Sequence, residues 1–169
     1  MENKFLITFA GAAGSSKTPI AHYLSWKLNL PIFSNDAIRT EVVEDIGSSD
    51  NTEYIKRRDN RLEEITKSGL SFIYDASVDR EWAKLKKGIE NYGYRVFIIS
   101  LDLSEKLLKS LYKAKGYHET LEKIESFITD HENFLKQYPN VVGLHLSDNE
   151  FGDRLDIGYQ KVKNWISQN

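Results

Sequence analysis

One segment constrains the fold of this chain more than any other: Gly11-Ala12-Ala13-Gly14-Ser15-Ser16-Lys17-Thr18. It follows the pattern Gly, four residues, Gly-Lys and then Ser or Thr, except that Ser16 stands where the pattern has its second glycine. In such a segment, backbone N–H groups and the start of a helix surround a polyphosphate, and the lysine reaches its outer phosphates. The sequence therefore predicts a nucleotide-binding loop that uses all eight residues.

The residues on either side of the loop fit this prediction. Lys4 to Ala10 form a short apolar run of β-prone residues. After the loop, Ile20, Leu24 and Leu28 recur at helical spacing. A phosphate-binding loop needs a strand before it and a helix after it, and the sequence offers both. The alternative interpretation is a Gly-rich turn with no ligand.

Two residues depart from an ideal loop. A glycine at position 16 would let the backbone approach the phosphates closely, so Ser16 either narrows the cradle or donates its hydroxyl to it. Pro19 has no N–H to offer an α-phosphate, although proline is tolerated in the first turn of a helix. We expect the fold to form and the affinity for nucleotide to be modest.

Short apolar runs alternate with longer helical patterns along the chain, which predicts an α/β fold with a mostly parallel five-stranded sheet. Strands are expected at residues 4–10, 31–34, 70–76, 94–101 and 141–146. Helices are expected from the loop to Asn29 and at residues 36–46, 52–68, 79–92, 104–114, 118–137 and 153–167. With 169 residues and no linker-like segment, one domain over residues 1–169 is expected.

Composition excludes some classes of function. The chain has no cysteine, which excludes disulfides, thiol nucleophiles and thiolate metal sites. A net charge of −2 counts against a dedicated nucleic-acid-binding protein. The start of the chain lacks a signal-peptide pattern and no apolar run reaches membrane-spanning length, so we expect a cytoplasmic protein without a membrane partner. The histidines have no ligand spacing and are expected at the surface or on helices: His22, His118, His131 and His145.

Two acidic residues follow predicted strands. Asp36 comes just after the second strand and is followed three positions later by Arg39, and Asp75 ends the third strand. In an open α/β sheet, ligands bind beyond the carboxyl ends of the strands, so both carboxylates should lie near the loop. Asp75 together with Thr18 could hold Mg²⁺. Each aspartate alone could equally be a helix cap or turn residue.

The order of these motifs resembles a known group. A phosphate loop, then Asp-x-x-Arg after the second strand, then Asp-Ala-Ser after the third is similar to the small P-loop kinases related to polynucleotide 5′-hydroxyl kinases, zeta toxins and chloramphenicol phosphotransferases. The resemblance covers residues 4 to about 102. It implies a three-layer α/β/α P-loop NTPase fold of the nucleoside/nucleotide-kinase type. It also implies that Asp36 is the general base and that Arg39 binds acceptor or transferring phosphate. Because phosphoryl transfer requires positioning and neutralisation of charge, Lys17, Mg²⁺ held through Thr18, and Arg39 are expected to supply positive charge.

The resemblance weakens after residue 102. Members of this group usually carry arginines in a lid that closes over the phosphates, expected here at about 104–137, but the predicted lid helix offers lysines: Lys109, Lys113 and Lys115. These lysines are expected on a solvated helix face, although Arg80 could replace the missing arginine. The charge-rich stretch of residues 56–61 is also expected to be a solvated helix face that could border a substrate groove.

The sequence supports one function best and leaves two others open. The best supported is a kinase that uses ATP or GTP with Mg²⁺ to phosphorylate a hydroxyl of a small molecule or of a nucleic-acid end, with Asp36 as base. The first alternative is a nucleotide-binding or regulatory module with little or no turnover. The second is a strict polynucleotide kinase, which needs a basic channel, and the net charge makes nucleic acid the less favoured partner.

Overall fold

The described residues 4–117 and 121–168 of the computed structural model form one parallel sheet with helices on both faces. The strands are β1 (Phe5–Ala10), β2 (Ile32–Ser34), β3 (Phe72–Ser77), β4 (Arg95–Leu101) and β5 (Val142–Leu146). The helices are α1 (Lys17–Leu28), α2 (Asn35–Ile46), α3 (Asn51–Ser68), α4 (Trp82–Glu90), α5 (Glu105–Lys115), α6 (Ile124–Gln137) and α7 (Arg154–Ser167). The predicted three-layer α/β/α fold with five parallel strands is confirmed.

Alternation along the central strands creates two cores, one on each face of the sheet. Successive side chains of a strand point to opposite faces. Ile7 on β1 and Ile99 on β4 join one core with Leu24 of α1. Leu6 on β1 and Ile98 on β4 join the other. The central strands are therefore apolar on both faces, as expected of a parallel sheet covered by helices.

The strand order β2-β3-β1-β4-β5 places the site. The chain leaves β1 toward β2 on one side of the sheet and later returns to β4 on the other side of β1, so a crevice opens at the carboxyl end of β1. Ser34 of β2 pairs with Asp75 of β3, and Phe9 of β1 pairs with Ser77 of β3. The loop after β1, the start of α2 and the end of β3 therefore share one edge.

Two predicted helices differ from the described structure in their first turns. The helix predicted at 79–92 begins at Trp82, because Asp79 lies in a turn in which Glu81 and Trp82 donate backbone N–H groups to the carbonyl of Val78. The helix predicted at 118–137 is a 3₁₀ turn at Leu121–Lys123 followed by α6, and residues 118–120 lie outside the described residues. The five predicted strands agree with the structure to within two residues at each end.

Within the part of the chain that the structure describes, no helix combines the length and apolar character needed to cross a bilayer.

Candidate active site

The phosphate loop joins β1 to α1 and is held tightly from one side by α5. Gly14 has φ +73°, and a Cβ added there would lie 2.5 Å from Cε1 of Tyr112 on α5. The hydroxyl of Tyr112 donates a hydrogen bond to the carbonyl oxygen of Ala13. Glycine is therefore required at position 14 both by its backbone conformation and by the close approach of an aromatic ring.

Ser16 adopts a left-handed backbone conformation, which favours glycine. Its φ and ψ are 80° and 33°, in the left-handed region, which costs a non-glycine residue about 1 kcal/mol. Its hydroxyl accepts a hydrogen bond of 3.2 Å from Nε of Arg154, the first residue of α7. The serine hydroxyl is thus engaged by an arginine that is distant in sequence. Pro19 lies in the first turn of α1, as expected.

Lys17 folds back over the loop. Its Nζ donates to the carbonyl oxygens of Gly11 at 2.8 Å and Ala12 at 2.6 Å, and lies 3.3 Å from Oγ of Ser15. Burial lowers the pKa of Lys17 to about 8, although the carboxylates of Asp79 and Asp75 oppose this shift. Carbonyl oxygens of the loop thus hold the ammonium of Lys17 at the loop.

Thr18 and Asp75 lie side by side at the start of α1 and the end of β3. Oγ1 of Thr18 donates to Oδ1 of Asp75 at 3.3 Å. Burial raises the pKa of Asp75, the hydrogen bond from Thr18 opposes this, and the charge of Asp36 raises it further. A cation would relieve the cost of this partly buried carboxylate, and hydroxyl and carboxylate oxygens are ligands that Mg²⁺ accepts.

These two oxygens fit a magnesium ion that takes its other ligands from phosphate and water. Among residues 4–117 and 121–168, no group of three or more His, Asp or Glu side chains is arranged to hold a metal ion. Mg²⁺ usually keeps several waters and binds through one or two protein ligands together with substrate phosphates. The hydroxyl of Thr18 and the carboxylate of Asp75 are therefore compatible, in number and type, with a magnesium ion bound together with a nucleotide.

Asp36 and Arg39 lie in the first turns of α2, opposite the loop. The turn is fixed by Oγ of Ser34, which accepts the N–H of Ala37 at 3.4 Å. The guanidinium of Arg39 stacks 3.7 Å from the centre of the ring of Tyr54, a buried residue of α3. No described side chain pairs with the carboxylate of Asp36, which remains available to a ligand.

One cavity of about 710 Å³ joins these groups. It is lined by seven of the eight loop residues, all but the buried Ser15, and by Asp36, Arg39, Tyr54 and Asp75. The loop, Asp36, Arg39 and Asp75, which the sequence predicts around one site, line one cavity. Its far side, which sequence reasoning did not describe, includes Phe127 and Asp130 of α6.

A buried network of charged residues lies beneath the loop, and the sequence did not predict it. The carboxylate of Asp79 accepts the N–H of Gly11 at 3.1 and 3.2 Å, and Nδ1 of His131 lies 3.1 Å from Oδ1 of the same carboxylate. Nε2 of His131 lies 2.9 Å from Oδ1 of Asp102, which follows β4. His131 lies on a helix, which is one of the two positions expected for the histidines, but it is buried, with only 8% of the residue exposed.

The two carboxylates determine the charge of His131. Burial would lower the pKa of His131, but its hydrogen bonds to Asp102 and Asp79 outweigh burial and raise it to about 9. Burial would likewise raise the pKa of Asp102, but hydrogen bonds from His131, Ser100 and His145 lower it to about 2. At neutral pH a protonated histidine therefore lies between two carboxylates. The one sequence feature that could have indicated this buried, charged histidine is its position on an amphipathic helix.

The charge-rich stretch on α3 is not wholly a solvated face. Arg58 is 5% exposed and donates to Glu81 at 2.8 and 3.0 Å and to Asp59 at 2.9 and 3.0 Å. It borders a second cavity of about 440 Å³ between α3 and α4. The expectation of a solvated face is wrong for this residue, because Arg58 is buried against Glu81, which precedes α4 and is not visible in local sequence.

The lysine-rich helix α5 is also only partly solvated. Lys109 pairs with Glu105 one turn before it, as on an ordinary helix face. Lys115 instead donates to the carbonyl oxygen of Gly14 at 2.8 Å, so this lysine lies at the phosphate loop. Arg80, the arginine considered as a replacement for the lid arginine, lines the cavity and donates to Asp130 through Nε at 2.5 Å.

The fold is shared with solved kinase structures. No family model and no curated protein sequence matches the chain. A gluconokinase from Sinorhizobium meliloti has a TM-score of 0.69 at 11% identity, covering 99% of this chain and 97% of its own. A sugar kinase from Janibacter sp. has a TM-score of 0.65 at 19% identity, with coverage of 97% and 95%. A shikimate kinase from Acinetobacter baumannii, in complex with shikimate, has a TM-score of 0.62 at 17% identity, with coverage of 99% and 96%.

These similarities establish that the chain has the fold of P-loop kinases over nearly its whole length. At identities of 11–19% these similarities show the fold and do not assign the chain to a family.

Proposed function

We propose that this chain is an ATP- or GTP-dependent phosphotransferase that moves the γ-phosphoryl group to a hydroxyl of a small molecule. One observation carries the proposal: a single cavity of about 710 Å³ is lined by the phosphate loop, by Arg39 and by Asp36, whose carboxylate pairs with no described side chain. A donor cradle and a potential base therefore share one space. The similar folds of a gluconokinase, a sugar kinase and a shikimate kinase support small-molecule phosphorylation.

The donor side is formed by the loop and by Lys17. The ammonium of Lys17 donates hydrogen bonds to the carbonyl oxygens of Gly11 and Ala12. A phosphate oxygen carries a full negative charge and would therefore bind this ammonium more strongly than a carbonyl oxygen does. Backbone N–H groups of the loop then surround the phosphates, as in other loops of this pattern. Asp79 fixes the start of the loop through the N–H of Gly11, so the cradle is held in position before a ligand arrives.

Thr18 and Asp75 would hold the magnesium ion. When bound, Mg²⁺ neutralises charge on the phosphates during transfer. Release of Oδ1 of Asp75 from its hydrogen bond with Thr18 would free both oxygens for the ion or its waters.

The acceptor side is formed by Asp36 and Arg39. We assign to Asp36 the orientation of the acceptor hydroxyl and the acceptance of its proton as the new bond to phosphorus forms. We assign to Arg39 the stabilisation of negative charge on the acceptor or on the transferring group. Stacking on Tyr54 limits the conformations of the guanidinium and keeps it at the cavity wall.

A second function is favoured by specific observations on the donor side. Ser16 has a strained backbone, and Pro19 lacks an N–H. These features fit a nucleotide-binding module that changes state with little or no turnover. Such a module would bind nucleotide with Mg²⁺ and transfer phosphate to no acceptor.

A nucleic-acid end is the less supported acceptor. The arginines of α3 that could form a channel for a strand are already paired: Arg57 with Glu41, Asp45 and Glu53, and Arg61 with Glu41. Paired arginines release fewer counterions on binding a phosphate backbone. Binding of short single strands at low salt that weakens steeply with salt would favour this acceptor.

The proposal is tested by measuring phosphate transfer from labelled ATP or GTP to a panel of hydroxyl compounds, including sugars, sugar acids, cyclic polyols and short oligonucleotides. We expect acceptor-dependent transfer by the wild-type protein and a loss of about a hundredfold or more in Lys17→Ala, because charge stabilisation dominates phosphoryl transfer. The matched control is Lys27→Ala, at the far end of the same helix. Nucleotide binding without transfer to any compound would favour the non-catalytic module.

A further inference from the structure

Arg154 lies beside the phosphate loop, although it is separated from it by most of the chain. Its Nε donates to Oγ of Ser16 at 3.2 Å. Ser16 is only 7% exposed and immediately precedes Lys17, so the guanidinium touches the segment where the loop becomes helix. The serine that breaks the loop pattern is therefore the residue that holds Arg154.

Two further contacts fix the guanidinium. Nη1 donates to the carbonyl oxygen of Phe151 at 2.7 Å, and the group lies 4.1 Å from the centre of the Phe151 ring. No carboxylate pairs with Arg154 among residues 4–117 and 121–168, and its Nη2 donates to no described group. An oriented arginine without an acidic partner is a binding group for an anion.

Two other cations lie at the same loop. Lys115 donates to the carbonyl oxygen of Gly14, and Lys17 to those of Gly11 and Ala12. Burial first, and then the charge of Arg154, lower the pKa of Lys115, and the charge of Lys115 in turn lowers that of Lys17. Cations that repel one another around carbonyl oxygens gain most from a polyphosphate that neutralises all of them.

The contact with Ser16 places Arg154 at the end of the loop that leads into α1. In loops of this pattern, backbone N–H groups around the start of the helix cradle the α- and β-phosphates, while the lysine reaches the β- and γ-phosphates. Pro19 removes one N–H from this part of the loop. Arg154, bound to Ser16, lies at the same end of the loop and has donors to spare.

We propose that Arg154 is a nucleotide-binding residue that contacts the inner phosphates of a nucleoside di- or triphosphate, and that it supplies the donor that Pro19 lacks. Ser16 then acts as a positioning residue, because its hydroxyl orients the guanidinium of Arg154. The backbone of Ser16 carries the strain of a left-handed conformation. The inference rests on the proposed function only in that the loop binds a nucleotide; it requires no transfer.

The test is calorimetric titration of the full chain with ADP in the presence of Mg²⁺, which measures binding without turnover. We expect Arg154→Gln to weaken binding about tenfold, since a charged donor is replaced by a neutral one that keeps N–H groups near Ser16. The affinity of Arg154→Lys for ADP should lie between those of the wild type and Arg154→Gln, because lysine keeps the charge and loses the planar fork. Lys161→Ala, an exposed residue of the same helix, should bind as the wild type does.

The compensation itself is tested by restoring the missing N–H. Pro19→Ala should improve binding at least several-fold in the Arg154→Gln background and much less in the wild type, because only the former lacks a donor. Equal improvement in both backgrounds would contradict the compensation. Thermal unfolding of each variant shows whether a loss of binding comes from a loss of fold.

The outcomes separate this inference from the proposed function. Wild-type binding that Arg154→Gln leaves within twofold overturns the role of Arg154 and leaves the kinase proposal intact. Wild-type binding no stronger than that of Lys17→Ala overturns both. Weaker binding in Arg154→Gln without any transfer by the wild type supports the role of Arg154 and counts against the kinase.

Discussion

Nδ1 of His131 lies 3.1 Å from Oδ1 of Asp79, and this pair connects α6 to the base of the phosphate loop. The same carboxylate accepts the N–H of Gly11, the first residue of the loop. On its other side, His131 is hydrogen-bonded to Asp102. The helix that forms the far wall of the cavity is thus linked to the loop through one charged histidine.

The stability of the protein should depend on the charge of His131. Its pKa in the folded protein, about 9, is higher than its ordinary value of 6.5, so the stabilisation is fully present below pH 6.5 and is lost as the pH rises through about 9. We expect His131→Gln to lower the free energy of unfolding by on the order of 2–3 kcal/mol at pH 6.5 and by much less near pH 9.5.

Urea unfolding of both proteins across this pH range checks the prediction. Lys17, whose pKa is lowered to about 8, also makes the free energy of unfolding depend on pH, in the opposite direction. Subtracting the free energies of the wild type and His131→Gln at the same pH removes this contribution, since both proteins contain Lys17. A difference between them that stays constant from pH 6.5 to 9.5 would show that His131 is not charged in the folded state.

Gly14→Ala should destabilise the protein more than an ordinary glycine replacement. The new Cβ would meet Cε1 of Tyr112 at 2.5 Å, in addition to the strain of a residue at φ +73°. Gly93→Ala is the matched control, because Gly93 has φ +69° with open space around its Cβ position. We expect a loss of about 1 kcal/mol in the control and roughly 2–4 kcal/mol at Gly14, measured by chemical unfolding. Equal losses would mean that α5 does not pack on the loop as described.

Tyr54→Leu should weaken the acceptor side while sparing the donor side. The ring of Tyr54 supports the guanidinium of Arg39 at 3.7 Å, and leucine removes this stacking surface. We expect the KM for the acceptor to rise about five- to tenfold and the KM for the nucleotide to change less than twofold. Tyr54→Phe keeps the ring and should match the wild type. A rise confined to the KM for the nucleotide would place Arg39 on the donor side.

The sequence was sufficient for the layers of the fold and for one half of the site. Strand–loop–helix order, apolar periodicity and the Asp36–Arg39 spacing are local signals, and β1, α1 and α2 lie where these signals place them. The rule that ligands bind at the carboxyl ends of parallel strands placed the groups around one edge. Both kinds of signal are independent of side-chain partners elsewhere in the chain.

The parts that sequence did not reveal depend on pairs of distant residues. Arg154 meets Ser16 across 138 positions, and His131 meets Asp79 across 52. The sequence around a lone arginine or histidine on a helix does not reveal such a distant partner. His131 was therefore expected only at the surface or on a helix, and Arg154 was not identified as a site residue. The same reason explains Arg58, whose partner Glu81 lies 23 positions away.

The central claim is that the phosphate loop and Asp36 form one phosphoryl-transfer site, and single-turnover transfer from labelled nucleotide to an acceptor tests it most directly. With an acceptor that the wild type uses, Asp36→Asn should slow transfer by about a hundredfold or more while binding Mg²⁺ and nucleotide normally, because only the proton acceptor is lost. Glu44→Gln, on the exposed face of the same helix, should transfer at the wild-type rate. Transfer by Asp36→Asn at the wild-type rate would contradict the assignment.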